Sequence, residues 1–142
     1  MKNIWFNKEL QLADMHAFSS QTMAHYLGMK WEEVGHDYLR MSMPVMDHVR
    51  QPYGILHGGA SCALAETIGS VGSHLVIDPN LYKCVGMEIN ANHIRSVKEG
   101  TIYAIAKPVH MGRRSHVWDI RISDSSNHLI CISRLTVAIL EK

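Results

Sequence analysis

The sequence has no excess of charge of either sign. Its 14 Lys plus Arg stand against 13 Asp plus Glu for a net charge of +1, so no global attraction to nucleic acid or to an anionic membrane is expected. Cysteine is scarce. Cys62, Cys84 and Cys131 are odd in number, widely spaced and set among apolar neighbours, which suits buried thiols in a reducing compartment better than a disulfide framework. The cytoplasm is the expected location, and the opening MKNIWFNKEL shows no apolar core followed by a small-residue cleavage site. Polar low-complexity tracts are missing, and the 10 Gly and 4 Pro are close to an average share, which excludes disordered and collagen-like chains. Despite 10 histidines there is no His-Glu-x-x-His and no paired cysteine-histidine spacing, so no metal and no cofactor is expected. The absence of a Gly-x-Ser-x-Gly elbow argues against a serine hydrolase.

What is present is a chain of 142 residues, 46% hydrophobic, the size of one domain with one core, so residues 1–142 are expected to form a single unit. Residues 7–27 carry Leu10, Leu12, Met15, Phe18, Met23 and Leu27 at roughly helical spacing and stop at Gly28, which predicts one or two short helices. From Asp37 the period becomes two. Leu39, Met41, Met43 and Val45 fall on one face and Tyr38, Arg40 and Ser42 on the other, a half-buried strand with Pro44 near its end. Further strands are predicted over 83–94, 101–109, 115–123 and 129–140, joined by turns at Glu99-Gly100 and Asp124-Ser-Ser-Asn127. Connections this short join antiparallel neighbours, so the expected class is α+β with a mainly antiparallel sheet.

One segment departs from ordinary structure. Between Arg50 and Asp78 the only formally charged residue is Glu66, and the run from Gly58 to Ser73 is mostly Gly, Ala, Ser and Cys. A membrane span is disfavoured by the few large apolar side chains and the central carboxylate. A buried helix fits better, because small residues let backbones approach, with the sheet around it and a second copy packed alongside. Gly59, Gly69 and Gly72 would each weaken an exposed helix by about 1 kcal/mol relative to Ala, so tertiary contacts must hold it. Glu66 is then either an acid satisfied by neighbouring hydroxyls or a group that does chemistry. Ser70, one turn on, shares its face and could hold the carboxylate or a water.

Upstream, Gln51-Pro-Tyr-Gly-Ile-Leu-His57-Gly58-Gly59 reads as a loop running into the start of that helix, where unpaired N–H groups can receive an anion or oxyanion. A Gly-Gly pair there can equally reflect tight packing. Gly58 and Glu66 are eight residues apart, about 12 Å along a helix, too far for one glutamate to reach a carbonyl held at its own helix start. Two antiparallel copies side by side would bring each Glu66 to the other's Gly58, so a dimer with sites at its interface is expected.

With Leu64-Ala-Glu66-Thr-Ile-Gly-Ser70 and Val85-Gly-Met-Glu-Ile-Asn-Ala-Asn-His93-Ile-Arg95, the Gln51–Ser61 segment resembles the hotdog-fold acyl-CoA thioesterases over residues 36–140. Within that family it resembles the subgroup of 1,4-dihydroxy-2-naphthoyl-CoA hydrolase and the enterobactin proofreading thioesterase. The resemblance implies an antiparallel sheet wrapped around a long central helix, paired into homodimers and commonly homotetramers. It implies hydrolysis of acyl-CoA, aromatic acyl-CoA first, with an acyl-carrier protein as a second possible partner and a role in menaquinone biosynthesis. By the same resemblance Glu66 is nucleophile or general base and Gly58 the backbone donor to the thioester oxygen. Gln51 and His57 place that carbonyl, and Ser70 helps hold the water or leaving group. Gly86, the segment His93-Ile94-Arg95-Ser96 and the segment His110-Met111-Gly112-Arg113-Arg114-Ser115 match substrate- and CoA-contacting positions. His74, two turns beyond Glu66, is expected on the same face and so near the acyl group.

Charge is unevenly spread. Residues 1–88 hold six basic and nine acidic groups, residues 89–121 six and two. The basic stretch contains Arg95, Lys98, Lys107, Arg113 and Arg114, which could converge on the phosphates of a nucleotide tail or form a solvated rim. Two other readings stay open at this point. A non-catalytic acyl-CoA or small-ligand binding module would release no thiol, and an enoyl-thioester hydratase would consume a conjugated double bond without releasing thiol.

Overall fold

A computed structural model of the chain describes residues 2–142. Six strands, β1 (Lys30–Val34), β2 (Leu39–Pro44), β3 (Tyr82–His93), β4 (Thr101–Met111), β5 (Ser115–Asp124) and β6 (Leu129–Glu141), form one antiparallel sheet in the order β1-β2-β4-β5-β6-β3. Around the helix α2 (Gly58–Val76) this sheet curls so that β2, β3, β4, β5 and β6 all touch it. The period-two pattern explains the wrapping. Leu39, Met41 and Met43, then Ile102, Ala104 and Ala106, then Trp118, Ile120 and Ile122, then Leu135 and Val137 line the inner face and meet Leu64, Ala65 and Ile68 of α2, all fully buried.

The small residues of α2 do what their composition predicts. A Cβ at Gly69 would sit 2.6 Å from Leu135, and one at Gly72 would sit 2.9 Å from the Trp118 ring, so each glycine marks a place where a large strand side chain reaches the helix backbone. Next to Gly72, Ser73 Oγ accepts the Trp118 indole N–H at 2.8 Å inside the core. Ser73→Ala would leave that donor buried and unpaired, and is expected to cost about 1–3 kcal/mol in a chemical-denaturation measurement.

The strands predicted over 83–94, 101–109, 115–123 and 129–140 form within one or two residues of those limits, and β2 ends at Pro44. Ser42 departs from expectation: it is buried, because its hydroxyl donates to Glu32 on β1. β1 itself is not foreshadowed by the sequence pattern. Its KWEEV stretch has one buried side chain, Trp31, and a register shift beside it, the signature of a short, charged edge strand. Residues 7–27 form a 3-10 helix at Leu12–Phe18 and a one-turn helix α1 at Met23–Tyr26. Ahead of them Trp5 is buried, stacked on Trp118 with ring centroids 6.5 Å apart, and its indole donates to Gly35 O at 2.6 Å. Phe6 N–H donates to Leu75 O at 2.8 Å, satisfying a carbonyl in the last turn of α2. Cys131 is buried, whereas Cys62 and Cys84 are only partly so; all three are free thiols.

Candidate active site

The start of α2 is built by a pinned loop. Leu56 N–H donates to Val97 O, His57 N–H to Val49 O and Gln51 N–H to Ile55 O, at 2.7–2.8 Å, while Gly54 turns the chain with φ +76°. These bonds hold the segment against the loop after β3 and the turn at Asp47–Val49. His57 is the N-cap of α2: its Nδ1 accepts the Gly59 N–H at 2.8 Å, which leaves Nε2 as its outward donor. The backbone of His57 accepts from Ala60 N–H at 2.9 Å. Among the described residues the Gly58 N–H finds no acceptor, as expected of a first-turn amide.

That amide opens on a cavity of about 330 Å3 lined by Gln51, Ile55, Leu56, Gly58, Ser61, His93, Ile94, Arg95, Ser96 and Ile130. Six residues expected from the sequence therefore meet in one place. Gln51 Oε1 accepts the Tyr53 N–H, which leaves the amide NH2 of Gln51 as a donor on the cavity side. His93, at the end of β3, covers Gly58 so closely that a Cβ there would lie 2.7 Å from its Nε2. Ser61, one turn below Gly58 and buried, and the apolar Ile55, Leu56 and Ile130 were not singled out by sequence reading. For Ser61 the i, i+3 spacing from Gly58 was an available signal; the others needed the fold.

Glu66 does not line this cavity. It stands midway along α2, where Ser70 Oγ donates to its Oε1 at 3.2 Å and Gly86 of β3 lies against the same oxygen. In this single chain Glu66 is partly exposed and not fully buried, and the strand beside it, β3, is an outer strand of the sheet.

Several residues expected at the site lie away from this cavity in the single chain. Within one chain the basic residues stand apart: Arg95 sits at the cavity beside the His93 end of β3, while Arg113 and Arg114 line a separate pocket with Tyr82, at that strand's opposite end. Register explains it, since Ser115 faces Ala138 and Tyr82 faces Glu141, whereas His93 faces Cys131. Lys107 lies elsewhere, on the outer sheet face over the Tyr38 ring. His74 is exposed and packs edge-on against Phe18, with centroids 5.4 Å apart, so in this chain its contact is with the N-terminal segment. The β4–β5 turn is closed by Gly112 N–H to Ser115 O at 2.9 Å, with exposed His110 and Met111 on the strand before it. Beyond it His116 is buried, its Nδ1 without a partner, and burial and then the charge of nearby His110 hold its pKa below the ordinary value. No group of three or more His, Cys, Asp or Glu among the described residues is arranged to hold a metal ion.

Comparison with known proteins decides what this arrangement belongs to. The profile of the Thioesterase superfamily matches residues 53–131, from the loop before α2 into β6. The chain belongs to the hotdog thioesterase family. It is 45% identical over 137 residues to the 1,4-dihydroxy-2-naphthoyl-CoA hydrolase of Escherichia coli K12, covering 96% of this chain and 99% of that protein. To the proofreading thioesterase EntH of Cronobacter sakazakii it is 42% identical over 138 residues, covering 96% and 98%. The crystal structure of a mutant of thioesterase PA1618 from Pseudomonas aeruginosa superposes with a TM-score of 0.94 at 40% identity, over 98% of this chain and 99% of that one.

A hotdog thioesterase is a thioester hydrolase, and the sheet wrapped around α2 is the family's fold. The resemblance drawn from Gln51–Ser61, Leu64–Ser70 and Val85–Arg95 therefore holds, but its expected limit to residues 36–140 does not, since the alignments cover 96% of the chain in the hydrolase and 98% in the solved relative. No helix among the described residues is long and apolar enough to cross a membrane.

Proposed function

We propose that this thioesterase hydrolyses aromatic acyl-CoA, with acyl-carrier thioesters as a second substrate class, in a site that two copies of the chain complete together. The observation that carries this reading is the separation of its two halves. The cavity beneath the free Gly58 N–H holds donors and no carboxylate, while Glu66 stands outside it, partly exposed, further along α2.

Supporting the pairing is the outer edge of β3, twelve residues long and unpaired, with Val85 48% and Met87 67% exposed. A long uncovered edge of this kind is a template for another strand. Antiparallel pairing with a second β3 would set the His93 end of one copy beside the Tyr82 end of the other. The same pairing draws the Arg113–Arg114 turn of one copy toward Arg95 of the other, giving the phosphates of CoA a shared basic wall.

Chemically, Gly58 N–H and the Gln51 amide polarise the thioester carbonyl, and His57 Nε2 adds a donor beside them. One backbone donor of this type is worth about 10² to 10³ in rate in other acyl-transfer enzymes. Glu66 of the second copy then attacks the carbonyl carbon, expelling the thiolate and leaving a mixed anhydride, or takes a proton from the water that attacks. Ser70 fixes the carboxylate for either route.

Thiol release from aryl, short-chain and long-chain acyl-CoAs, and from an aryl-carrier protein, tests the substrate class. Aryl-CoA is expected to show the highest kcat/KM. A preference for long aliphatic chains would overturn the aromatic assignment while leaving the thioesterase activity in place.

A further inference from the structure

Gly86 lies on the inner face of β3, opposite Val137 of β6, and a Cβ built on it would collide with Glu66 Oε1 and come within 3.3 Å of Glu66 Cδ. Its backbone does not ask for glycine. The glycines with positive φ are Gly28, Gly54 and Gly100, and within a strand glycine is the weaker choice. What glycine provides here is room for the carboxylate.

Two further features converge on the same oxygen. The β3–β6 register shifts between Gly86 and Glu88, so Met87 is an extra residue that bends the strand at this point. Ser70 Oγ donates to Oε1, and Cys84, two residues before Gly86 on the same face of β3, donates its thiol to Ser70 O at 3.7 Å. Oε1 is thereby held between the Ser70 hydroxyl and the bare Cα of Gly86.

We infer that Gly86 is a positioning residue for Glu66, whose missing side chain at the bulge sets where the reactive carboxylate stands. This rests on the reading of Glu66 as nucleophile or general base. A methyl group at position 86 would push the carboxylate off Ser70 and out of line with the carbonyl. Misplacement by about 1 Å can cost on the order of 10²-fold in rate.

Steady-state hydrolysis of one aryl-CoA by Gly86→Ala, Glu66→Asp, Glu66→Gln and the two double variants, with thermal unfolding alongside, tests this. Gly86→Ala is expected to lower kcat about 10- to 100-fold with KM changed by less than about twofold and melting unaltered. In the Glu66→Gln background it should add nothing, and in the Glu66→Asp background, where the carboxylate is one methylene shorter, its penalty should shrink. A Gly86→Ala enzyme that keeps its kcat, that loses affinity instead, or that loses the same factor in the Glu66→Gln background overturns the inference. Should Gly86→Ala alone not fold, the Gly86→Ala/Glu66→Asp variant is expected to fold, and its failure to do so also overturns it. Near-native turnover by Glu66→Gln would instead remove the role of Glu66, a result separable from all of these.

Discussion

Glu66→Gln is expected to lower kcat for an aryl-CoA by about 10² to 10⁴-fold while leaving KM and thermal unfolding close to those of the parent. The amide keeps the size of the side chain and can still receive the Ser70 hydroxyl through its oxygen, so packing against Gly86 survives and only the negative charge is lost. Without that charge neither attack on the carbonyl carbon nor removal of a proton from water is available. Glu66→Ala should have a similar effect on kcat. Both variants retaining near-native turnover would eliminate the assigned role. Single-turnover hydrolysis in 18O-labelled water separates the two routes in the parent enzyme. First-turnover acid without label points to an anhydride with Glu66, because the oxygen it gains then comes from the carboxylate.

The second large effect concerns chains and not residues. Gln51→Ala removes a donor from the cavity at Gly58, and Glu66→Gln removes the carboxylate, so each variant alone should be nearly inactive. Co-refolded in equal amounts, the two are expected to recover about a quarter of parental activity, because half of the dimers are mixed and each mixed dimer carries one site with both groups intact. If one chain supplied both groups, the mixture would show no more activity than its components measured apart. The length of α2 between Gly58 and Glu66, and the absence of any carboxylate around the cavity, are what make complementation the expected outcome.

Much of this architecture is legible in the amino-acid sequence, and the reasons differ by element. β2 to β6 announce themselves because each is rich in strand-forming residues and the turns after β4 and β5 are short. α2 is legible because a stretch so poor in large side chains can be tolerated only where neighbours come very close, as Leu135 and Trp118 do at Gly69 and Gly72. β1 is not legible, since an edge strand with one buried side chain leaves almost no periodic trace. Trp5 is a similar case: its place against Trp118 and Gly35 depends on partners 30 or more residues away.

Residue types and their local spacing determined which groups are candidates for the proposed chemistry: a first-turn amide after a Gln-containing loop, and a lone carboxylate one turn before Ser70. Those relations are set within a few residues, where helix geometry leaves little freedom. Only the tertiary structure decided how the groups are distributed. It put Gln51, Gly58, His93 and Arg95 around one cavity, sent Arg113 and Arg114 to the far end of β3, turned His74 toward Phe18 and laid a bulged glycine against Glu66. Strand order, register and the choice of which strand stays unpaired arise from contacts distant along the chain, and those contacts carry no local signature.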